Sequence, residues 1–284
     1  MTPRGGGVSP SSKQVKLGNN YGDLPTPTKT GYNFGGWYLD GTKMESTTQN
    51  TTIGDHTLSA SWTAKTYTVY KGGNMTGVSV SASSSGTFNT TLSFSTSGSS
   101  PGYNYSFSSI KIYSGSNTTG TLLATFTSTS DSWTMTGTYY SSIYIYAEWS
   151  RTAIPTTISA SPTIISYRNW QSSDEPVTST ITAGGGGGKW VYTITSKECS
   201  STSSSKYESL IQLSYNNTLV GDSTGEVTTA VVLYCNASSC TYVLFGRVQG
   251  ARYIIVTVRA TSVYNGTYAE VRVLFRDESL SVTL

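Results

Sequence analysis

The sequence predicts an all-β chain of tandem small β domains, and three observations predict it. Alternation of period two recurs with no helical period, Gly, Asn-Gly and Ser clusters interrupt it at short intervals, and 21 Tyr and 29 Gly with abundant Ser and Thr favour strands and tight turns. A chain of 284 residues exceeds one small core, so three segments are expected: 1–64, 65–150 and 151–284. Apolar residues make up 36%, enough to offset chain entropy, so the Ser and Thr content is not read as disorder.

Two closing strands set the boundaries. Leu58, Ala60 and Trp62 alternate toward one face, as do Ile145, Ala147 and Trp149, and both runs end in Ala-x-Trp. Arg151–Pro155 then reads as a short extended linker that Pro155 stiffens. In the last segment Ala269, Val271, Val273 and Phe275 share a face, and Ile254, Val256 and Val258 do the same. Further strands are expected around Trp190–Thr195, Ala230–Cys235 and Thr241–Val248. No motif identifies this segment, and an immunoglobulin-like sandwich is the expectation for that length of alternating strands.

The first segment has a different texture. Leu24-Pro25-Thr26-Pro27 is a stiff extended piece, Gly31 makes a turn, and Tyr32, Phe34 and Trp37 supply the aromatic bulk that so small a domain needs. Tyr21-Gly22, Leu24-Pro25, Pro27-Thr28, the run from Thr30-Gly31-Tyr32 through Phe34-Gly35-Gly36-Trp37-Tyr38, and the closing His56-Thr57-Leu58-x-Ala60-x-Trp62 resemble the Listeria-Bacteroides repeat, the B-repeat of internalin-like surface proteins. The resemblance covers residues 5–64. It implies a β-grasp-like module, found in tandem on bacterial and bacteriophage surface proteins, with no catalytic residue to carry over. Family members begin with a strand before the Gly-Gly turn. Here Met1–Arg4 stands in that place, so the strand is expected to be shortened or supplied by a neighbouring chain. Thr66–Gly73 looks like such an opening strand, which makes residues 65–150 resemble a divergent relative without the Tyr-x-Phe-Gly-Gly-Trp core.

Charge excludes several functions. Eighteen Lys and Arg stand against 15 Asp and Glu, scattered singly, which is no footprint for nucleic acid or an anionic membrane. From Lys65 to Ser150 the only ionic residues are Lys65, Lys71, Lys111, Asp131 and Glu148. No apolar stretch approaches the roughly 18 residues of a membrane helix, so no membrane insertion is expected.

Enzyme chemistry finds few residues to use. His56, the one histidine, sits beside Asp55 in a turn the repeat already explains, so a Ser-His-Asp site is not expected. Asp174-Glu175 are adjacent on one loop, whereas carboxylates acting across a substrate come from separate elements. Gly184–Gly188 before Lys189 lacks the phosphate-loop pattern and reads as a flexible loop. Sequons such as Asn216 and Asn265 follow from the Ser and Thr content. No cofactor and no metal are expected, since three Cys and one His fall short of a structural zinc site. Cys235 and Cys240 bracket a short turn between strand-like runs and can close a cross-strand disulfide, which would leave Cys199 free.

One candidate contact surface remains. Tyr139, Tyr140, Tyr144 and Tyr146 cluster before Trp149, and Tyr144 and Tyr146 face outward if Ile143, Ile145 and Ala147 face inward. Three readings stand: Tyr as an ordinary strand residue on a sparsely charged surface, an anchor for a protein interface, or a stack for host-surface glycan. The expectation is a non-enzymatic surface protein with protein partners, part of a larger assembly. Its setting is a bacteriophage virion surface, as capsid decoration, head fibre or tail-associated protein, because Met1–Gly7 shows no apolar leader and Leu280–Leu284 no anchor motif. A bacterial cell-surface adhesin carrying the same repeat is the alternative.

Overall fold

The computed structural model describes residues 1–167, 177–199, 211–235, 253–277 and 282–284. Those residues form strands and no helix, and they divide into two compact units, 1–98 with 106–150 and 99–105 with 151–284.

In the first unit the repeat folds as the hairpin β1 (Tyr32–Leu39) and β2 (Thr42–Met44), with β3 (Ser59–Ala64) on the other side of β1. Asp40 and Gly41 both take positive φ, 46° and 83°, the two-residue turn whose twist suits a hairpin. Trp37 is buried with Tyr21, Leu58 and Ala60, and Phe34 meets both Trp37 and Trp62 edge-on at 5.6 Å. The Trp37 indole N–H donates to the Pro25 carbonyl at 2.9 Å, so the stiff proline segment supplies the acceptor that a buried tryptophan needs. In the place of the opening strand, Thr2 makes a parallel bridge to Ser59, its N–H donating to Leu58 O at 2.8 Å.

The rest of this unit opens with the same pairing drawn out. β4 (Thr66–Gly73) lies parallel to β11 (Ser142–Ala153), from Thr68 opposite Ser142 to Gly73 opposite Ala147. Their sheet runs β6 (Ser85–Thr87), β4, β11, β8 (Tyr103–Ser114), β9 (Leu122–Phe126). A second sheet of β10 (Ser130–Thr134), β7 (Thr91–Gly98) and β5 (Val78–Ala82) has no counterpart in the repeat. Tyr67, Val69, Phe94, Ile110, Ile143 and Ile145 fill the core between the sheets. Gly31 links repeat and core: its carbonyl accepts from Lys65 N–H at 2.9 Å, and it takes positive φ against the Phe88 ring.

The second unit is an immunoglobulin-like sandwich. One sheet runs β12 (Thr156–Ser161), β14 (Val177–Gly185), β18 (Val231–Cys235), β16 (Ile211–Tyr215), β17 (Thr218–Gly221). The other runs β13 (Ile164–Tyr167), β20 (Tyr268–Asp277), β19 (Tyr253–Ser262), β15 (Trp190–Cys199). Apart from the edge strands β17 and β13, the orders β12-β14-β18-β16 and β20-β19-β15 are, in chain order, those of the ABED and GFC sheets of that fold. The expected inward residues Ile254, Val256, Val258, Val273 and Phe275 join Ile181, Tyr192 and Leu233 in its core.

Two expectations from the sequence are corrected here. Arg151–Ala153, expected as part of an extended linker, instead continues β11, and the Arg151 guanidinium stacks 4.3 Å from the Tyr103 ring. Gly185–Gly188 is no loose loop either. All four take positive φ in the turn between β14 and β15, and Gly186 is held by Pro155 O at 3.2 Å and by the Ser262 hydroxyl at 2.5 Å. The strand expected at Thr241–Val248, the Asp174-Glu175 pair and Cys240 lie outside the described residues.

Candidate contact surface

The outer face of the five-stranded sheet follows from parity. Ile143, Ile145 and Ala147 are fully buried, which turns Tyr144, Tyr146 and Glu148 to the opposite face of β11. On β4, Tyr67 and Val69 are buried and Tyr70 faces out at 45% exposure. On β8, burial of Ile110 and Ile112 sends Lys111 and Tyr113 outward, and Tyr113 pairs with the exposed Leu122 on β9. The strands thus carry an aromatic band of Tyr70, Tyr144, Tyr146 and Tyr113.

Register fixes its centre. Tyr144 stands opposite Tyr70 and Tyr146 opposite Gly72. Tyr144 and Tyr146 stack with centroids 5.8 Å apart and planes at 30°. The Tyr144 hydroxyl lies over Gly72, where any Cβ would collide with it. Glycine at 72 is what lets this ring lie across the neighbouring strand. Partial burial raises the Tyr144 phenol pKa, and the adjacent Tyr146 adds to the shift.

One ion pair borders the band. Lys111 Nζ sits 2.8 Å from the Glu148 carboxylate, which also accepts from the Ser109 hydroxyl at 2.8 Å. The Lys111 bond, then the Ser109 bond, hold Glu148 below the usual carboxylate range, and the bond to Glu148 raises Lys111.

The four tyrosines grouped by the sequence do not stay together. Tyr139 donates its hydroxyl to Thr66 O at 2.6 Å and packs edge-on to Phe88, while Tyr140 packs on the core and its N–H donates to Met135 Sδ at 3.4 Å. Tyr70 and Tyr113 take their places in the band. Their signal was available: each alternates with core residues of its own strand, Tyr67 and Val69 in one case, Ile110 and Ile112 in the other.

The remaining candidates have structural employment. His56 engages the Tyr21 hydroxyl at 2.5 Å and the Gly54 carbonyl at 3.2 Å. Lys189 pairs with Glu226. Cys235 is buried and disulfide-bonded, while its proposed partner Cys240 is outside the described residues. Among the described residues no group of three His, Cys, Asp or Glu side chains gathers as metal ligands, and no helix is long and apolar enough to cross a membrane.

Residues 3–61 match the family model of the Listeria-Bacteroides repeat domain, about a fifth of the chain. No curated protein matches the chain. The repeat is typical of extracellular and surface proteins, and it points to a protein of the surface or adhesion type.

Proposed function

We propose that this is a non-enzymatic surface protein that works by contact, and that the part of the band formed by Tyr70, Tyr144 and Tyr146 is where a neighbouring protein seats. The observation that carries the reading is the Tyr144–Tyr146 stack, placed on a sheet face whose reverse already fills the core. Those rings contribute nothing to the interior, and such rigid, part-apolar rings with a polar tip are frequent interface anchors. Outside the Lys111–Glu148 pair the band is free of charge, which keeps the desolvation cost of docking low. The absence of enzyme chemistry is supported by the spent ring nitrogens of His56.

The finer setting we propose is the exterior of a bacteriophage virion, as capsid decoration, head fibre or tail-associated protein, supported by the occurrence of the repeat on phage surface proteins. A bacterial adhesin is the second reading, favoured by the repeat match itself. Immunogold labelling of gradient-purified particles and of intact cells separates the two, since label confined to cells overturns the virion setting. The contact surface is tested with the double variant Tyr144→Ser, Tyr146→Ser. It is expected to fold like the parent and lose attachment to the labelled surface; attachment equal to the parent's overturns the assignment.

A further inference from the structure

The repeat carries a second surface feature, remote in sequence from the tyrosine band. A groove of about 680 Å³ runs along its sheet, lined by Tyr38, Asp40, Ser59, Ser61 and Trp62, with Arg4 and Lys29 among its charged lining residues. Register puts Tyr38 opposite Ser59, and Gly36 opposite Ser61. Tyr38 therefore stands between Ser59 on one side and Lys43 on the other, with the Lys43 stem lying over Gly36, so the flank of its ring toward β3 borders the serine hydroxyls.

The backbone at Arg4 is the observation that suggests a ligand. Arg4 and Gly5 both take positive φ, 45° and 86°, in a turn closed by Gly6 N–H donating to Pro3 O at 3.1 Å. Asp40 and Gly41 make the same kind of turn elsewhere in the groove lining. Aspartate is at home in the left-handed region, whereas a long side chain such as arginine is rare there and tends to be kept for a function. Among the described residues the Arg4 guanidinium has no hydrogen-bond or ionic partner, and neither has the Asp40 carboxylate. Lys29 is already aimed: its Nζ donates to Arg4 O at 3.2 Å and stands 4.3 Å from the Tyr32 ring centroid, which ties the ammonium to the Arg4 turn.

We propose that this groove binds a carboxylated sugar residue of a surface glycan. Arg4 receives the carboxylate in the bidentate manner its planar fork allows, with Lys29 as the second cation. Tyr38 presents its ring to the sugar face, and Asp40, Ser59 and Ser61 accept and donate hydrogen bonds to the ring hydroxyls. An acidic peptide would satisfy the two cations, but it would leave the Ser59 and Ser61 hydroxyls beside the Tyr38 ring without the polyol partner they suit. This site is separate from the tyrosine band and rests on the proposed function only in that the protein is displayed where glycans are met.

Titration calorimetry of the full chain tests it with trigalacturonate, sialyllactose, the neutral methyl ester of trigalacturonate and triglutamate as probes. At least one acidic sugar is expected to bind, and the methyl ester at least tenfold more weakly than its parent acid. Added salt should weaken the acid and spare the ester. Arg4→Gly suits the turn, so it should keep or raise the melting temperature while lowering affinity at least tenfold. Tyr38→Ser should also weaken binding, whereas Tyr144→Ser with Tyr146→Ser should leave it unchanged, which keeps failure here distinct from failure of the tyrosine band. Binding of neither acidic sugar, triglutamate binding as tightly as the sugars, or Arg4→Gly binding like the parent each overturns the proposal.

Discussion

Replacing Gly72 with alanine places a methyl group inside the van der Waals envelope of the Tyr144 hydroxyl while leaving every core side chain in place. Gly72 is not among the positive-φ glycines, so its backbone accepts alanine, and the lost unfolded-state freedom stabilises by about 0.4–1 kcal/mol. Against this, turning Tyr144 off its rotamer costs about 0.5–1.5 kcal/mol. Losing the stack on Tyr146 costs about 0.5–1.5 kcal/mol more. The difference is a net loss of about 1 kcal/mol, which lowers the melting point of a unit this size by about 4 °C. Ile145→Ala, which empties a fully buried site on the same strand, should cost about 2–5 kcal/mol. Calorimetry of both variants, with an attachment assay beside it, separates face from core. Gly72→Ala should melt near the parent yet attach weakly. Unchanged attachment with the Tyr144 ring shown by NMR to have moved, or a melting point as low as that of Ile145→Ala, would refute the reasoning.

Three further outcomes are expected. Glu148 has its pKa lowered, chiefly by the Lys111 bond, so its stabilisation is present above the ordinary glutamate pKa of about 4.3 and fades as pH falls through the lower folded value. Glu148→Gln should therefore flatten the acid limb of the urea-denaturation profile, and an unaltered limb contradicts the pairing. Gly31→Ala forces a left-handed alanine against the Phe88 ring and should destabilise the first unit by on the order of 1–3 kcal/mol in chemical denaturation. A neutral result would contradict the left-handed backbone at position 31, since that cost remains even if Phe88 gives way. Reduction of the Cys235 disulfide should lower the stability of the second unit by about 2–5 kcal/mol, read as a calorimetric shift with and without reductant. Non-reducing peptide mapping then reports whether Cys240 is the partner.

Much of the fold was legible because burial imposes a period of two. Ile143-x-Ile145-x-Ala147 and Ile254-x-Val256-x-Val258 declare their inner faces outright, and outward Tyr144 and Tyr146 follow from the first of them. What escaped depends on pairing between distant segments. Nothing local in Tyr139-Tyr140 separates it from Tyr144 and Tyr146; the difference is that β11 begins at Ser142, so the first two rings fold back onto Thr66 and the core. Tyr70 and Tyr113 join the band only through the sheet order β4, β11, β8. The run Gly185–Gly188 looked loose because glycine permits flexibility, but here it supplies successive positive φ values that a side chain would forbid. Arg4 was unremarkable in sequence, since left-handed backbone at a non-glycine residue leaves no mark on composition.

Hydroxyl-radical footprinting of the protein on its native particle or cell surface, against the free protein, tests the contact surface most directly. Oxidation of Tyr70, Tyr144 and Tyr146 should fall on the attached protein, while Tyr264 and Tyr268 on the second unit keep their free-state labelling. Full labelling of Tyr70, Tyr144 and Tyr146 in the attached state, with protection elsewhere, would contradict the assignment.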